Sequence, residues 1–155
     1  GSKEGFANMA QAITAPGDVV LVPNPTYPIH SFGFIMSGGV VRSIPAEPGE
    51  AFMEALDRSV RHSIPKPLAL ILNYPSNPTA YTADLDFYRE VVKFARQHEL
   101  IVLSDLAYSE IYFDDAPPPS VLRWSSPHCP RPTPCLAGEW AALLATNGSS
   151  ARSHA

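Results

Sequence analysis

The sequence predicts an α/β fold with a mostly parallel sheet, because four short apolar runs alternate along the chain with amphipathic stretches of helical spacing. The apolar runs are continuous, which is typical of strands that are covered on both faces. The chain has 155 residues, of which 45% are hydrophobic, so it can form one domain with a buried core. This composition excludes disorder over the whole length.

The predicted elements follow one another in regular order up to about residue 116. Each predicted strand is a run rich in Val, Ile or Leu, and these runs cover residues 19–22, 40–44, 68–72 and 101–103. Each predicted helix has apolar residues that recur every three or four positions, and these stretches cover residues 5–14, 31–37, 51–62 and 84–98. Strands separated by helices of this length favour parallel pairing with right-handed crossovers.

The composition changes near residue 116, where a Pro-rich segment begins. Three prolines stand at 117–119, and four more follow up to residue 134. So many prolines exclude a sheet or helix interior, so we expect an irregular, poorly ordered tail in which only residues 138–145 could form a short helix. Cys129 and Cys135 lie in this tail and indicate neither a disulfide framework nor a zinc site.

Charge and hydropathy exclude several classes of function. The net charge is −4 and no cluster of Lys and Arg is present, which argues against a nucleic acid or a membrane surface as partner. No apolar run approaches the length of a membrane span. The first residues lack the pattern of a signal peptide, so we expect a cytoplasmic protein.

Three polar segments stand where predicted elements begin or end. The first is GSKEG at residues 1–5, directly before a helical pattern, where free backbone N–H groups suit a phosphate. The same segment also fits an ordinary capped helix start or the Gly-Ser remnant of an expression tag. The second is NYPSNPTA at 73–80, in which the prolines could hold an asparagine amide ready to donate to a ligand oxygen, although such residues also form simple turns.

The third segment is SDLAY at residues 104–108. Asp105 directly follows an apolar strand, where a carboxylate is costly unless it is paired. It could hold a protonated heterocyclic nitrogen, with the Tyr108 hydroxyl nearby, or it could cap a helix beside a core tyrosine. Taken together, sites for a phosphate, a ring oxygen and a ring nitrogen describe one cofactor, pyridoxal phosphate.

In combination, the motifs GSKEG, PNPTYPIH, NYPSNPTA and SDLAYSEIYFD resemble those of the fold-type-I, pyridoxal-phosphate-dependent aminotransferases of class I/II. The resemblance implies that residues 1–122 are part of the large, cofactor-binding domain, an α/β/α sandwich, and it leaves 123–155 unassigned. Within the class, the motifs are most similar to those of bacterial alanine (glutamate–pyruvate) transaminases. LL-diaminopimelate aminotransferases share many of them, and more often carry Gly where this chain has Ala80.

The resemblance also implies roles at the cofactor's phosphate and ring face. Ser2 and Lys3 would hold the phosphate, chiefly by side-chain hydroxyl and backbone N–H. Tyr27, in PNPTYP, would lie against the pyridine ring and shield one face of it.

In the resembled family, the phenolic oxygen and the pyridine nitrogen of the cofactor bind residues of the motifs NYPSNPTA and SDLAY. Asn77 would donate to the phenolic oxygen, with Tyr108 as the second donor to the same atom. Asp105 would pair with the protonated pyridine nitrogen, which keeps the ring an electron sink.

The resemblance further implies that catalytic groups are missing. The family's Schiff-base lysine lies on a later strand in a Ser-x-Ser-Lys-type motif, and none of Lys3, Lys66 and Lys93 matches it. The arginine that binds the substrate's α-carboxylate lies later still. We therefore expect an inactive fragment of an aminotransferase whose parent reaction transfers an amino group between L-alanine and 2-oxoglutarate, with a frameshifted or disordered tail over 123–155.

Other assignments stay open at this point. The chain could be a non-catalytic cofactor-binding remnant, an LL-diaminopimelate-type aminotransferase, or another enzyme of the same fold, such as a β-lyase or a decarboxylase. Members of the resembled family are usually homodimers and act on amino acids and 2-oxo acids. His30 and Glu110 are expected to be structural or solvent-facing and receive no role.

Overall fold

The structure, a computed structural model, describes residues 2–108, 111 and 140–143 of the chain. Within these residues, helices and strands alternate along most of the chain. In order they are α1 (Ser2–Ile13), β1 (Val19–Asn24), α2 (Ile29–Met36), β2 (Val40–Pro45), α3 (Glu50–His62), β3 (Pro67–Asn73), α4 (Leu85–His98), β4 (Ile101–Asp105) and β5 (Trp140–Leu143). The predicted four helices and four strands are therefore confirmed, with ends that differ by a few residues.

The strands form one sheet in the order β2-β1-β3-β4-β5. The pairs β1–β2, β1–β3 and β3–β4 are parallel, and only β5 runs antiparallel to its neighbour β4. This confirms the predicted mostly parallel sheet. The carboxyl ends of β1, β3 and β4 consequently lie at one edge, which is where ligands bind in open α/β sheets.

Side chains that alternate along the strands build two cores, one on each face of the sheet. Val20 and Val22 of β1 pack in one core with Phe6 of α1 and with α2. Val19 and Leu21 pack in the other core, with α3 and α4. A sheet covered by helices on both faces confirms the predicted α/β/α layers, and it explains why the strand sequences are apolar without alternation.

Helix α4 shows why the sequence signals predicted the elements well. Asp84 is its N-cap, and the side chain accepts a 2.8 Å hydrogen bond from the backbone N–H of Phe87. The buried face repeats at helical spacing through Tyr88, Val91, Val92 and Ala95. Glu99 ends the helix in the left-handed conformation, at φ 58°.

Strand β2 corrects one expectation, because it was predicted as a buried strand like the others. Ile44 is its only buried residue, and Val40 is 47% exposed. Among the described strands β2 lies at the edge of the sheet, with β1 on one side only. The helices cover less of an edge strand than of a central one, so an apolar sequence alone predicts more burial than β2 has.

Strand β5 corrects a second expectation, since residues 138–145 were predicted to form a short helix if anything. Its Trp140–Leu143 backbone pairs with β4 instead, with Trp140 opposite Asp105. An eight-residue helix is marginal, whereas pairing satisfies the free N–H and C=O groups along β4. The predictions for the rest of the tail and for Glu110 concern residues outside those described. In the described part of the chain, no helix is long and apolar enough to cross a membrane.

Candidate functional site

The predicted site residues gather at the carboxyl edge of the sheet. Tyr27 follows β1, Asn77 lies in the loop after β3, and Asp105 ends β4 with Tyr108 three residues later. Parallel neighbours bring these ends together, so residues that are up to 81 positions apart in sequence share one small region.

The carboxylate of Asp105 is held by a buried histidine. His30 Nε2 lies 2.8 Å from Asp105 Oδ2, and His30 Nδ1 lies 2.7 Å from Thr26 Oγ1. His30 is completely buried and Asp105 is 12% exposed, so the pair is shielded on the protein side and open at the carboxylate. With Asp105 ionised, Nε2–H donates to it and the Thr26 hydroxyl donates to Nδ1, which fixes the imidazole tautomer.

Asp105 retains acceptor capacity beyond this pair. The backbone N–H of Ala107 donates to Oδ1 at 3.2 Å, so among the described residues each carboxylate oxygen has one partner and a second lone pair. The alternative that Asp105 is a cap beside a core tyrosine is therefore only partly correct. Asp105 does accept a hydrogen bond from the backbone N–H two residues later, as a cap would. Tyr108, however, is half-buried and is not a core residue.

A second network holds the loop after β3. Asn77 Nδ2 donates to the Tyr108 hydroxyl at 2.9 Å, and the Asn77 backbone N–H donates to Asn73 Oδ1 at 3.0 Å. Asn73 Nδ2 in turn donates to the backbone carbonyl of Asp105 at 3.2 Å. The two groups predicted to donate to one ligand oxygen are thus adjacent, and they are tied to the same strand end as the carboxylate.

The start of α1 forms the remaining side of the site. Ser2 and Lys3 lie in its first turn, where backbone N–H groups have no partner within the helix. The Lys3 ammonium lies 6.0 Å from the centre of the Tyr27 ring, which places the start of α1 beside β1's end. The Tyr27 ring meets His30 edge-on, with ring centres 6.1 Å apart.

His30 and Thr26 are the site residues that sequence reasoning missed. Of the two expectations for His30, structural or solvent-facing, the structure agrees with the first: the side chain is fully buried and Phe6 packs against it at 5.0 Å between ring centres. Two signals pointed to it: Asp105 needed a partner, and Thr26 stands four residues before His30. Within residues 2–108, 111 and 140–143, no group of three or more His, Cys, Asp or Glu side chains could hold a metal ion.

Comparison with known proteins decides the family. A family model described as "Aminotransferase class I and II" matches residues 1–139. The chain belongs to the class I and II aminotransferases. It is 80% identical over 123 residues to AatC of Rhizobium meliloti (strain 1021), which is named as an aminotransferase, covering 79% of this chain and 30% of that protein.

Two further curated relatives of this aminotransferase chain carry names that specify different substrates. Glutamate-pyruvate aminotransferase AlaC of Escherichia coli (strain K12) is 46% identical over 123 residues, covering 79% of this chain and 30% of that protein. An LL-diaminopimelate aminotransferase of Natranaerobius thermophilus is 43% identical over 122 residues, covering 79% and 32%. The chain thus spans about a third of the length of these relatives.

Solved structures agree with the family. The apo-BacF structure from Bacillus subtilis has a TM-score of 0.70 at 32% identity, covering 79% of this chain and 32% of that chain. A double mutant of the aspartate aminotransferase of Thermus thermophilus has a TM-score of 0.65 at 28% identity, covering 74% and 30%. Both likenesses support the fold-type-I assignment.

Class I and II aminotransferases depend on pyridoxal phosphate, and the residues present fit this group. Its phosphate suits the free N–H groups at the start of α1, and its ring nitrogen suits the partly exposed Asp105 carboxylate that His30 orients. Its phenolic oxygen suits the amide and hydroxyl donors of Asn77 and Tyr108, which already lie 2.9 Å apart.

Proposed function

We propose that this chain forms the cofactor-binding part of an aminotransferase that transfers an amino group between L-alanine and 2-oxoglutarate. One observation carries the cofactor assignment: a buried histidine holds the Asp105 carboxylate at the end of a strand, 2.8 Å away, beside the Asn77–Tyr108 pair. The Asp105 carboxylate stays partly exposed beside this pair and keeps free lone pairs, and a protonated ring nitrogen is a matching donor for them.

Each predicted residue has a separate task in this proposal. Asp105 binds the ring N–H and keeps that proton on the nitrogen, while His30 keeps the carboxylate oriented. Asn77 and Tyr108 donate to the ring oxygen, and Tyr27 covers one face of the ring. When bound, pyridoxal phosphate supplies an electron-accepting ring for the amino-group transfer.

The phosphate is assigned to the start of α1. The backbone N–H groups of Ser2 and Lys3 and the hydroxyl of Ser2 would bind it, and the positive end of the helix dipole favours its charge. No cation is required there, because backbone groups at a helix start bind phosphate by themselves.

The choice of substrates has weaker support than the cofactor. Alanine and 2-oxoglutarate are favoured by the motifs and by AlaC at 46% identity, while LL-diaminopimelate is the second candidate, with relatives at 41% to 43%. We further propose that the protein is cytoplasmic and that it forms a homodimer, as is usual in the family. Cell fractionation tests the location, and analytical ultracentrifugation tests the oligomeric state.

Cofactor binding is tested by titrating the chain with pyridoxal phosphate and following its absorbance. Asp105→Asn is expected to weaken binding about 10- to 100-fold, because a charge-assisted hydrogen bond contributes roughly 1.5–3 kcal/mol. Asp86→Asn is the matched control, since Asp86 is 86% exposed and pairs only with Arg89 among the described residues. Equal affinity in all three proteins would contradict the proposed site.

Substrate choice is tested with two stable ligands in which the cofactor is joined to an amino acid by a reduced bond. N-phosphopyridoxyl-L-alanine is expected to bind more tightly than N-phosphopyridoxyl-LL-diaminopimelate. The reverse order would favour the diaminopimelate reaction and leave the cofactor assignment standing.

A further inference from the structure

The buried amide of Asn73 joins two parts of the site that the proposed function treats separately. Asn73 is the last residue of β3, and its side chain is buried. Its Oδ1 accepts a 3.0 Å hydrogen bond from the backbone N–H of Asn77, and its Nδ2 donates at 3.2 Å to the backbone carbonyl of Asp105. One side chain thus contacts both the loop that carries a ring-oxygen donor and the strand end that carries the carboxylate.

The register of the sheet explains why the amide reaches both partners. Asn73 and Asp105 form the last pair of the parallel ladder between β3 and β4. Pro75, two residues later, has no backbone N–H and cannot extend this ladder. The Asn73 amide therefore adds a side-chain bond to β4 where the strand pairing ends. Because an amide carries a donor and an acceptor at fixed positions, it sets the distance between the Asn77 loop and the end of β4.

The same bonds form a closed circuit around the place assigned to the cofactor ring. Asn73 holds the backbone of Asn77, and the side chain of Asn77 donates to the Tyr108 hydroxyl at 2.9 Å. Tyr108 is three residues after Asp105, whose carbonyl accepts from Asn73. Hydrogen bonds in such a network reinforce one another, so loss of the shared amide is felt by both ring-oxygen donors. Asn73 itself is assigned to no atom of the cofactor.

We infer that Asn73 is a positioning residue, which holds the ring-oxygen donors Asn77 and Tyr108 at the correct distance from the Asp105 carboxylate. The inference rests on the proposed function, because it assumes that these three side chains bind the ring oxygen and the ring nitrogen. It assigns to Asn73 the coupling between the two contacts. The competing role is structural only, in which Asn73 stabilises the fold and leaves recognition of the ring unchanged.

Two ligands that differ in one atom separate these roles. Pyridoxamine phosphate, the amino form of the cofactor, has the phenolic oxygen, and 3-deoxypyridoxamine phosphate lacks it. Their dissociation constants are measured by fluorescence titration for the 155-residue chain, for two variants of Asn73 and for the control Asn24→Ala, an exposed asparagine that ends the neighbouring strand β1. The unaltered chain is expected to prefer pyridoxamine phosphate roughly three- to tenfold, as one hydrogen bond contributes.

The two variants of Asn73 remove the same bonds in different ways. Asn73→Ala leaves a space, whereas Asn73→Leu fills it with a side chain of similar length, and circular dichroism establishes that each variant is folded. The inference predicts that both variants lower the preference to about onefold by weakening pyridoxamine phosphate more than its analogue, and that Asn24→Ala retains it. A variant that is less stable to urea but keeps the full preference would assign Asn73 a structural role and overturn the inference.

Exchange of the Asn73 side-chain amide protons with solvent, followed by NMR in the unaltered chain, gives a second test that does not depend on how the variants fold. Pyridoxamine phosphate is expected to slow this exchange more than the 3-deoxy analogue, because only the first engages the Asn77 donor and tightens the circuit. Equal slowing by the two ligands would overturn the inference and leave the cofactor site intact. Binding of neither ligand, nor of pyridoxal phosphate, would overturn the proposed function and this inference with it.

Discussion

Replacing His30 by alanine tests whether the Asp105 carboxylate is held as described. The change removes the 2.8 Å bond to Asp105 and the 2.7 Å bond to Thr26, and it opens a space beside Phe6 in a fully buried position. A hydrogen bond to a charged group contributes about 1.5–3 kcal/mol and a neutral one about 0.5–1.5 kcal/mol. With the lost packing, His30→Ala should lower the free energy of unfolding by about 3–5 kcal/mol.

The assay is urea unfolding followed by circular dichroism, carried out as a double-mutant cycle with Asp105→Asn. We expect a coupling energy between the two residues of about 1.5–3 kcal/mol, because each single change removes the same charged hydrogen bond. His62→Ala is the matched control, since His62 is exposed in the last turn of α3 and its loss should cost at most about 0.5 kcal/mol. A coupling energy below about 0.3 kcal/mol would refute the reasoning, because residues without a shared interaction behave additively within that range.

Three further predictions concern stability away from this pair, all measured by urea unfolding. Ala80 has φ 58°, so Ala80→Gly should raise the free energy of unfolding by about 0.5–1 kcal/mol, and a loss would contradict the strain. Burial raises the pKa of the Tyr88 hydroxyl, so its contribution to stability is full below about pH 10 and falls as the pH rises further. Tyr88→Phe should remove about 1.4 kcal/mol per pH unit of this fall, and an unchanged slope between about pH 10.5 and 12 would refute it. A Cβ at Gly39 would lie 2.9 Å from Thr14 Cγ2, so Gly39→Ala should lower the free energy of unfolding by about 1–3 kcal/mol. In the control Gly33→Ala the new Cβ meets only ordinary contacts at 3.5 Å, so the free energy of unfolding should not fall. Equal effects of the two substitutions would contradict the steric account.

Much of the fold could be predicted because local signals agree with the tertiary structure. Continuous apolar runs such as 68–72 became β3, since that strand is covered on both faces. The helical spacing of its apolar residues places α4 correctly, and the structure adds Asp84 as its N-cap. The burial of β2 could not be predicted in this way, because its edge position depends on the order of the strands, which no local pattern encodes.

The site shows the same division between local and distant causes. Tyr27, Asn77, Asp105 and Tyr108 were identified by motifs and do lie together at one edge of the sheet, while their roles toward the cofactor stay predictions. The role of His30 could not be predicted because its partner Asp105 lies 75 residues away, and only the tertiary fold brings the first turn of α2 to the end of β4. Strand β5 could not be predicted for a similar reason, because its conformation depends on pairing with β4, which is distant in sequence.

The most direct test of the central claim is the protonation state of the cofactor's ring nitrogen. Pyridoxal phosphate labelled with ¹⁵N in the ring is added to the chain and to Asp105→Asn, and the ¹⁵N resonance is followed while the pH is raised. If Asp105 binds the ring N–H, the resonance in the unaltered chain should stay at the protonated position to a higher pH than in the variant or in free cofactor. A ring nitrogen that loses its proton at the same pH in all three samples would contradict the account.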